Sequence, residues 1–268
     1  MYGPILQEQA RDTRHESASG QAHIMSAMPE LPYSGIAIGG KGLYVSGVSM
    51  TQAPLSGPAA AAVGLAAFGV VVTDVGWQVV RHGAVMAHEG AHAVADSLLG
   101  RQVDYIKLNF SAERSGVTKA KNVGGWPARV VTAFVGYIGP SSFGLGAAKL
   151  IQLGYAVGVL WFTLFLLGIL LLLLRWSFGL LTVTLAGGLV YIVGRYTPAS
   201  AQIVAAYAIS WLLLLSGVRG ILVRGTGSSD GRDLRQLTLI PRFIWFLLWL
   251  ASTLAAVAIG GRWLVMRT

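Results

Sequence analysis

Six apolar runs, at about 58–80, 129–151, 153–174, 177–196, 202–222 and 241–261, dominate this chain. Each is close to the roughly 20 residues that an α-helix needs to cross the hydrocarbon of a bilayer. Of the 268 residues, 54% are hydrophobic and 12% charged, about half the charged share of a soluble domain. No soluble core of this size absorbs so much apolar sequence, and a bilayer admits only helices or closed barrels. Runs of this length select helices. The sequence therefore predicts an all-α polytopic membrane protein.

A shorter apolar helix is expected at about 83–99, after a break at Arg81-His82 and before the helix-stopping Gly100. That brings the expected count to six to seven membrane helices. Residues 101–128 differ: Val103 to Phe110 largely alternates apolar and polar, Ser115-Gly116 offers a turn, and Val117-Thr118-Lys119 follows. This predicts a small β-hairpin inserted after the 83–99 helix. Residues 1–56 are polar, carry Pro4, Pro29, Pro32 and Pro54, and show no sustained period. They read as a disordered extension with no signal-peptide core, holding one short strand near Gly42–Val48. His15 and His23 read as solvated bystanders there. The membrane-embedded domain is expected at 57–268.

The formal charge of +9 is concentrated in loops. Arg101, Lys107, Arg114, Lys119, Lys121 and Arg129 lie in the 101–129 loop; Arg219, Arg224, Arg232, Arg235 and Arg242 lie in the 219–242 region. Four runs separate the two loops, so both fall on one side, which the positive-inside rule makes cytoplasmic. Topological anchoring thus explains the basic balance, and nucleic acid is not an expected partner. The absence of cysteine excludes disulfides, thiolate zinc ligands and thiol nucleophiles.

Within the 83–99 helix lies His88-Glu89-Gly90-Ala91-His92, an HExxH pattern. Histidines four residues apart share one helix face, so both imidazoles can reach one metal ion, with Glu89 beside it as a proton acceptor for water. Ionisable groups in an apolar helix are costly to keep, which makes the cluster a functional site by default. A catalytic Zn2+ takes three protein ligands and leaves a position for water. Asp96 is eight residues from His88, about 12 Å along a helix, too far to share one ion on a straight helix. His82 lies on another face, and Asp104 and Glu113 fall in the hairpin, exposed to solvent. Asp230 and Asp233 remain, in a polar loop at 224–235; Ser229 or Asp230 there would equally suit a helix N-cap. On residue chemistry alone both carboxylates stay open as the third ligand. Asp74, inside the first apolar run, reads as a polar residue facing neighbouring helices.

His88-Glu89-Gly90-Ala91-His92 is followed by Ala-Val-Ala-Asp-Ser-Leu-Leu-Gly-Arg, then Ser115-Gly116-Val117-Thr118, then Gly136-Tyr137-Ile138-Gly139-Pro140, then Ser229-Asp230, Leu237-Thr238, Pro241 and Trp245. In this order the chain, over about 58–262, resembles the site-2-protease-like membrane metallopeptidases, and within them a bacterial branch. The resemblance implies His88 and His92 as zinc ligands, Glu89 as catalytic base, and Asp230 in preference to Asp233 as the third ligand. It also implies a substrate-facing helix break at Gly139-Pro140; the residues themselves allow an ordinary proline kink instead. Ala91 stands where the family often has Gly. Asp230-Gly231 lies in a polar stretch rather than an apolar helix, without a nearby Asn-Pro.

The expected activity is intramembrane zinc-dependent hydrolysis of peptide bonds in or near membrane-spanning segments. The partners would be a membrane protein substrate and the lipid bilayer, and the location the bacterial cytoplasmic membrane. Two other classes compete. An inactive scaffold of the same fold would lack a complete metal site. A metal or solute transporter would need polar residues along a path through the helices, and beyond Asp74, Asp96 and the motif the runs hold almost no ionisable groups.

Overall fold

The computed structural model of the protein describes residues 36–39, 42–45, 51–111, 114–175 and 178–266. The extension expected at 1–56 lies mostly outside the described residues, as do His15, His23 and Glu113. Within it β1 (Ile36–Gly39) pairs antiparallel with β2 (Gly42–Val45), so the expected strand at 42–48 is four residues long and has a partner.

Beyond residue 50 the described chain is eight α-helices and one hairpin. The helices are α1 (Gly57–Val72), α2 (Asp74–Leu98), α3 (Trp126–Gln152), α4 (Ala156–Leu173), α5 (Phe178–Tyr196), α6 (Ala199–Arg224), α7 (Ser229–Thr238) and α8 (Arg242–Val265). Five of them, α3, α4, α5, α6 and α8, are long and apolar enough to cross a bilayer; α1 and α2 pass the same test only together and meet at a 100° bend, as in a broken span or a re-entrant loop. Side chains such as Leu65, Leu172, Leu185 and Leu189 stand exposed on the outer helix faces, a surface suited to lipid.

The break in the first span is not where the sequence suggested. Arg81 and His82 lie inside one continuous helix, and the chain turns at Thr73 instead. The Thr73 hydroxyl accepts from Gly76 N at 3.3 Å, and Asp74 sits in the first turn, where its charge complements the helix dipole. Arg219 of α6 closes the bend from the other side. Its guanidinium donates to the carbonyls of Val71 and Thr73, pairs with Asp74 Oδ1 at 2.8 Å, and stacks over Trp77 at 5.1 Å. Charged residues within an amphipathic helix do not end it; a capping residue followed by an acid does start one.

Helix α3 is the hub: it packs against α2, α4, α6, α7 and α8. Small residues permit this. A Cβ on Gly139 would land 2.5 Å from the Cβ of Ala91, and one on Gly144 would meet the backbone of Leu214 at 2.7 Å. Ser141 Oγ donates to Leu214 O at 3.0 Å and Ser210 Oγ to Gly144 O at 2.9 Å, which ties α3 to α6 by hydrogen bonds that lipid cannot replace.

The hairpin follows α2 as expected: β3 (Val103–Ser111) pairs antiparallel with β4 (Arg114–Ala120). Ser115-Gly116 is part of β4 rather than the turn, because Ser111 already pairs with Arg114. Ile106 and Leu108 are buried with Met86, Ala93, Leu170 and Val183, so the hairpin is anchored among α2, α4 and α5. The outer edge of β3 is engaged too: Ile106 bridges Leu174, and Arg175 N donates to Ile106 O at 3.0 Å.

Candidate metal centre

Helix α2 turns His88, Glu89 and His92 inward, with Glu89 4% and His92 9% exposed. The carboxylate of Asp230 reaches them from the far end of the sequence. The segment at 224–235, expected as a polar loop, is for the most part helix α7, which follows a single 3-10 turn at Gly225–Gly227. Its cap is Ser228, whose Oγ accepts from Gly231 N at 3.1 Å. Capping therefore falls to neither Ser229 nor Asp230, and Asp230, in the first turn, is left to face α2. Leu234 docks α7 by packing beside Trp249, Tyr137, Ala133 and Ile221, and Trp126 Nε1 donates to Leu237 O at 2.6 Å.

Three donor atoms converge. His88 Nε2 lies 3.2 Å and His92 Nε2 3.5 Å from Asp230 Oδ2, and the two nitrogens are 3.1 Å apart. Ligands at about 2.05 Å from a tetrahedral zinc would be separated by about 3.3 Å, so the triangle has the size that ion requires. The chemistry fits as well. His92 Nδ1 lies 2.9 Å from the Thr132 carbonyl, which can only accept, so Nδ1 carries a proton and Nε2 is the nitrogen turned to the centre, able to ligate a metal once its own proton has left. Burial by itself would raise the Asp230 carboxyl, but the facing imidazoles of His88 and His92 hold it well below the ordinary carboxylate range. His88 is held edge-on between His92 and Tyr137, with ring centroids 4.7 and 4.8 Å away.

Around the triangle is a supporting set that sequence reasoning did not assign. Thr118 of β4 donates to Glu89 Oε2 at 2.7 Å, and a Cβ on Gly116 would strike the Glu89 carboxyl. A Cβ on Gly136 would strike both imidazoles. Thr132 Oγ1 donates to Asp96 Oδ1 at 2.7 Å, and Asp96 Oδ1 pairs with Arg101 at 2.8 Å. Asp96 thus sits behind the site and holds the hydroxyl of Thr132, the residue whose carbonyl orients His92. The motif segments containing Gly116, Thr118 and Gly136 were visible in the sequence; what they touch depends on contacts between α2, α3 and β4 that no local pattern encodes.

The remaining residues singled out from sequence are placed as follows. Asp233 is exposed on the same cavity wall; burial, then the charge of Asp230, raises its carboxyl. Among the described residues, the cluster able to hold a metal contains Asp230 and not Asp233. Pro140 lines the cavity, whereas Gly139 lies in the α2–α3 contact against Ala91. Asp104 is exposed on β3, and His82 stays on α2, its Nδ1 3.1 Å from Val79 O. Asp74 sits at the α1–α2 bend with Arg219.

The family model for Peptidase M50B-like proteins matches residues 61–260. The chain belongs to the Peptidase M50B-like family. That is the site-2-protease family of membrane metallopeptidases, and the matched span runs from α1 to α8, taking in the metal triangle, the hairpin and α7. The apolar helices agree with an integral membrane protein. No curated protein matches the chain, and no solved structure does.

Proposed function

We propose that this protein is an intramembrane zinc metallopeptidase that hydrolyses peptide bonds in or near membrane-spanning segments. One observation carries the reading: two imidazole nitrogens and a carboxylate oxygen form a triangle of 3.1, 3.2 and 3.5 Å beside a buried glutamate. His88 Nε2, His92 Nε2 and Asp230 Oδ2 would hold the ion. Bound there, zinc would lower the pKa of water and polarise a carbonyl. Glu89 takes the proton of the attacking water on its carboxylate and passes it to the leaving amine. Thr118 keeps that carboxylate in one rotamer by its hydrogen bond to Oε2. His92 is kept in the metal-binding tautomer by Thr132.

The substrate would be a membrane protein segment that unwinds locally, because an intact helix shields its own carbonyls. With β3 engaged by Leu174 and Arg175, β4 is the strand nearest Glu89 and supplies an edge for an extended segment. We place the 101–129 and 219–242 loops in the cytoplasm of a bacterial cell, on the charge asymmetry of the loops.

The test measures bound zinc and cleavage of a membrane-spanning reporter peptide in the wild type, His88→Ala, Asp230→Ala, Asp233→Ala and Glu89→Gln. The expected result is about one zinc per chain in wild type, Asp233→Ala and Glu89→Gln, loss of zinc in the other two, and cleavage by wild type and Asp233→Ala alone. A wild type that holds no zinc and cuts nothing would favour the scaffold reading. Zinc retained by Asp230→Ala would remove Asp230 from the site.

A further inference from the structure

The site opens into a cavity of about 670 Å³, and every cationic side chain on its wall is an arginine: Arg81, Arg101, Arg129, Arg224 and Arg232. Topological anchoring uses lysine and arginine alike and does not need them to face a cavity. Here Lys107, Lys119 and Lys121 of the same loops lie off the wall. Arg101 is held by Asp96. Arg129, Arg224 and Arg232 come from three different elements: the first turn of α3, the end of α6, and α7. Arg129 and Arg232 are exposed, and both act on the carboxyl of Asp233. Of the four wall carboxylates, Glu89 is bonded to Thr118, Asp96 to Arg101, and Asp230 faces the two histidines. Asp233 is acted on by Arg129 and Arg232, and with five arginines against four carboxylates on the wall the mouth of the cavity is positive, more so with a divalent ion in place.

Resting on the peptidase reading, we infer that Arg129, Arg224 and Arg232 form a subsite for a carboxylate of the substrate, an Asp or Glu side chain flanking the bond to be cut. The planar guanidinium fork matches a carboxylate with two parallel hydrogen bonds, which an ammonium cannot do. The same charges repel lysine and arginine. Most membrane segments carry basic flanks on the cytoplasmic side, so a positive mouth there rejects the common flank and admits the rare acidic one.

The experiment uses full-length Glu89→Gln protein in phosphatidylcholine nanodiscs and a fluorescent model transmembrane peptide. Its flank is Glu-Glu, Gln-Gln or Lys-Lys in three otherwise identical versions. The Glu-Glu peptide is expected to bind about tenfold more tightly than Gln-Gln, and Lys-Lys more weakly than either. The preference shrinks in about 0.5 M salt and vanishes in the Arg129→Gln, Arg232→Gln double variant, both positions being exposed. Equal binding of Glu-Glu and Gln-Gln peptides would overturn the inference. So would the wild type, but not the double variant, retaining phosphatidylglycerol while showing no peptide preference, since the arginines would then serve a lipid headgroup. A preference that persists although Glu89-intact protein cuts no peptide sinks proteolysis and leaves the acidic subsite standing. Cleavage without preference does the reverse.

Discussion

Gly136 sits where α3 crosses the two histidines, and Gly136→Ala is the most informative single-atom perturbation of the site. The added Cβ would lie 2.5 Å from Cε1 of His92 and 2.8 Å from Cε1 of His88. Ordinary carbon contacts begin near 3.5 Å, so one or both imidazoles must retreat by about 1 Å, or α3 must move from α2 by as much. Zinc ligands tolerate only about 0.2 Å of displacement. The helices cannot separate freely either, because Gly139 already touches Ala91 three residues on. Overpacking of this kind costs about 1–3 kcal/mol, partly offset by the better helix propensity of alanine, about 1 kcal/mol. The variant should therefore fold with a modest loss of thermal stability. Its zinc affinity, measured by competition with a chromogenic chelator, should fall about a hundredfold, the upper end of what losing the support of a metal ligand costs. Gly146→Ala is the control: it lies on the same helix, exposed, with nothing within 4 Å of its Cβ, and should keep wild-type affinity. Wild-type zinc affinity in Gly136→Ala would refute the geometry of the centre.

Thr118→Val removes the hydroxyl donated to Glu89 Oε2; zinc content should stay unchanged while single-turnover cleavage slows about tenfold, the worth of a hydrogen bond to a charged group. Asp96→Asn leaves Arg101 without its buried counter-charge, which should cost about 3 kcal/mol in thermal unfolding and weaken zinc tenfold or more. Chelation of the wild type should lower its unfolding temperature, and zinc restored at about 100-fold over its dissociation constant should return roughly 2.7 kcal/mol, where magnesium returns none.

The parts of this fold that periodicity encodes were legible. Apolar runs marked the spans, alternation marked β3, and the four-residue spacing of His88 and His92 marked the metal face. What misled was local polarity. Arg81-His82 interrupts hydropathy but not the helix, since α2 is amphipathic and its polar side lines the cavity. The 224–235 segment is polar for the same reason: α7 buries only Gly231 and Leu234, three residues apart, too sparse a stripe to stand out. Without that helix, Asp230 could not be separated from Asp233 by residue chemistry; the family resemblance made the distinction. Thr118 and Thr132 act on residues 29 and 40 positions away, so their hydroxyl and carbonyl become meaningful only once the helices are packed.

The third ligand arrives late in synthesis. His88 and His92 leave the ribosome about 140 residues before Asp230, which at typical elongation rates is on the order of ten to thirty seconds. During that interval the nascent chain holds two imidazoles and a glutamate without the carboxylate that closes the triangle. The centre can be completed only after α3 to α6 have been inserted and α7 has emerged. On the proposed function, chain order alone would keep the centre incomplete, and so inert, until most of the membrane helices have been made.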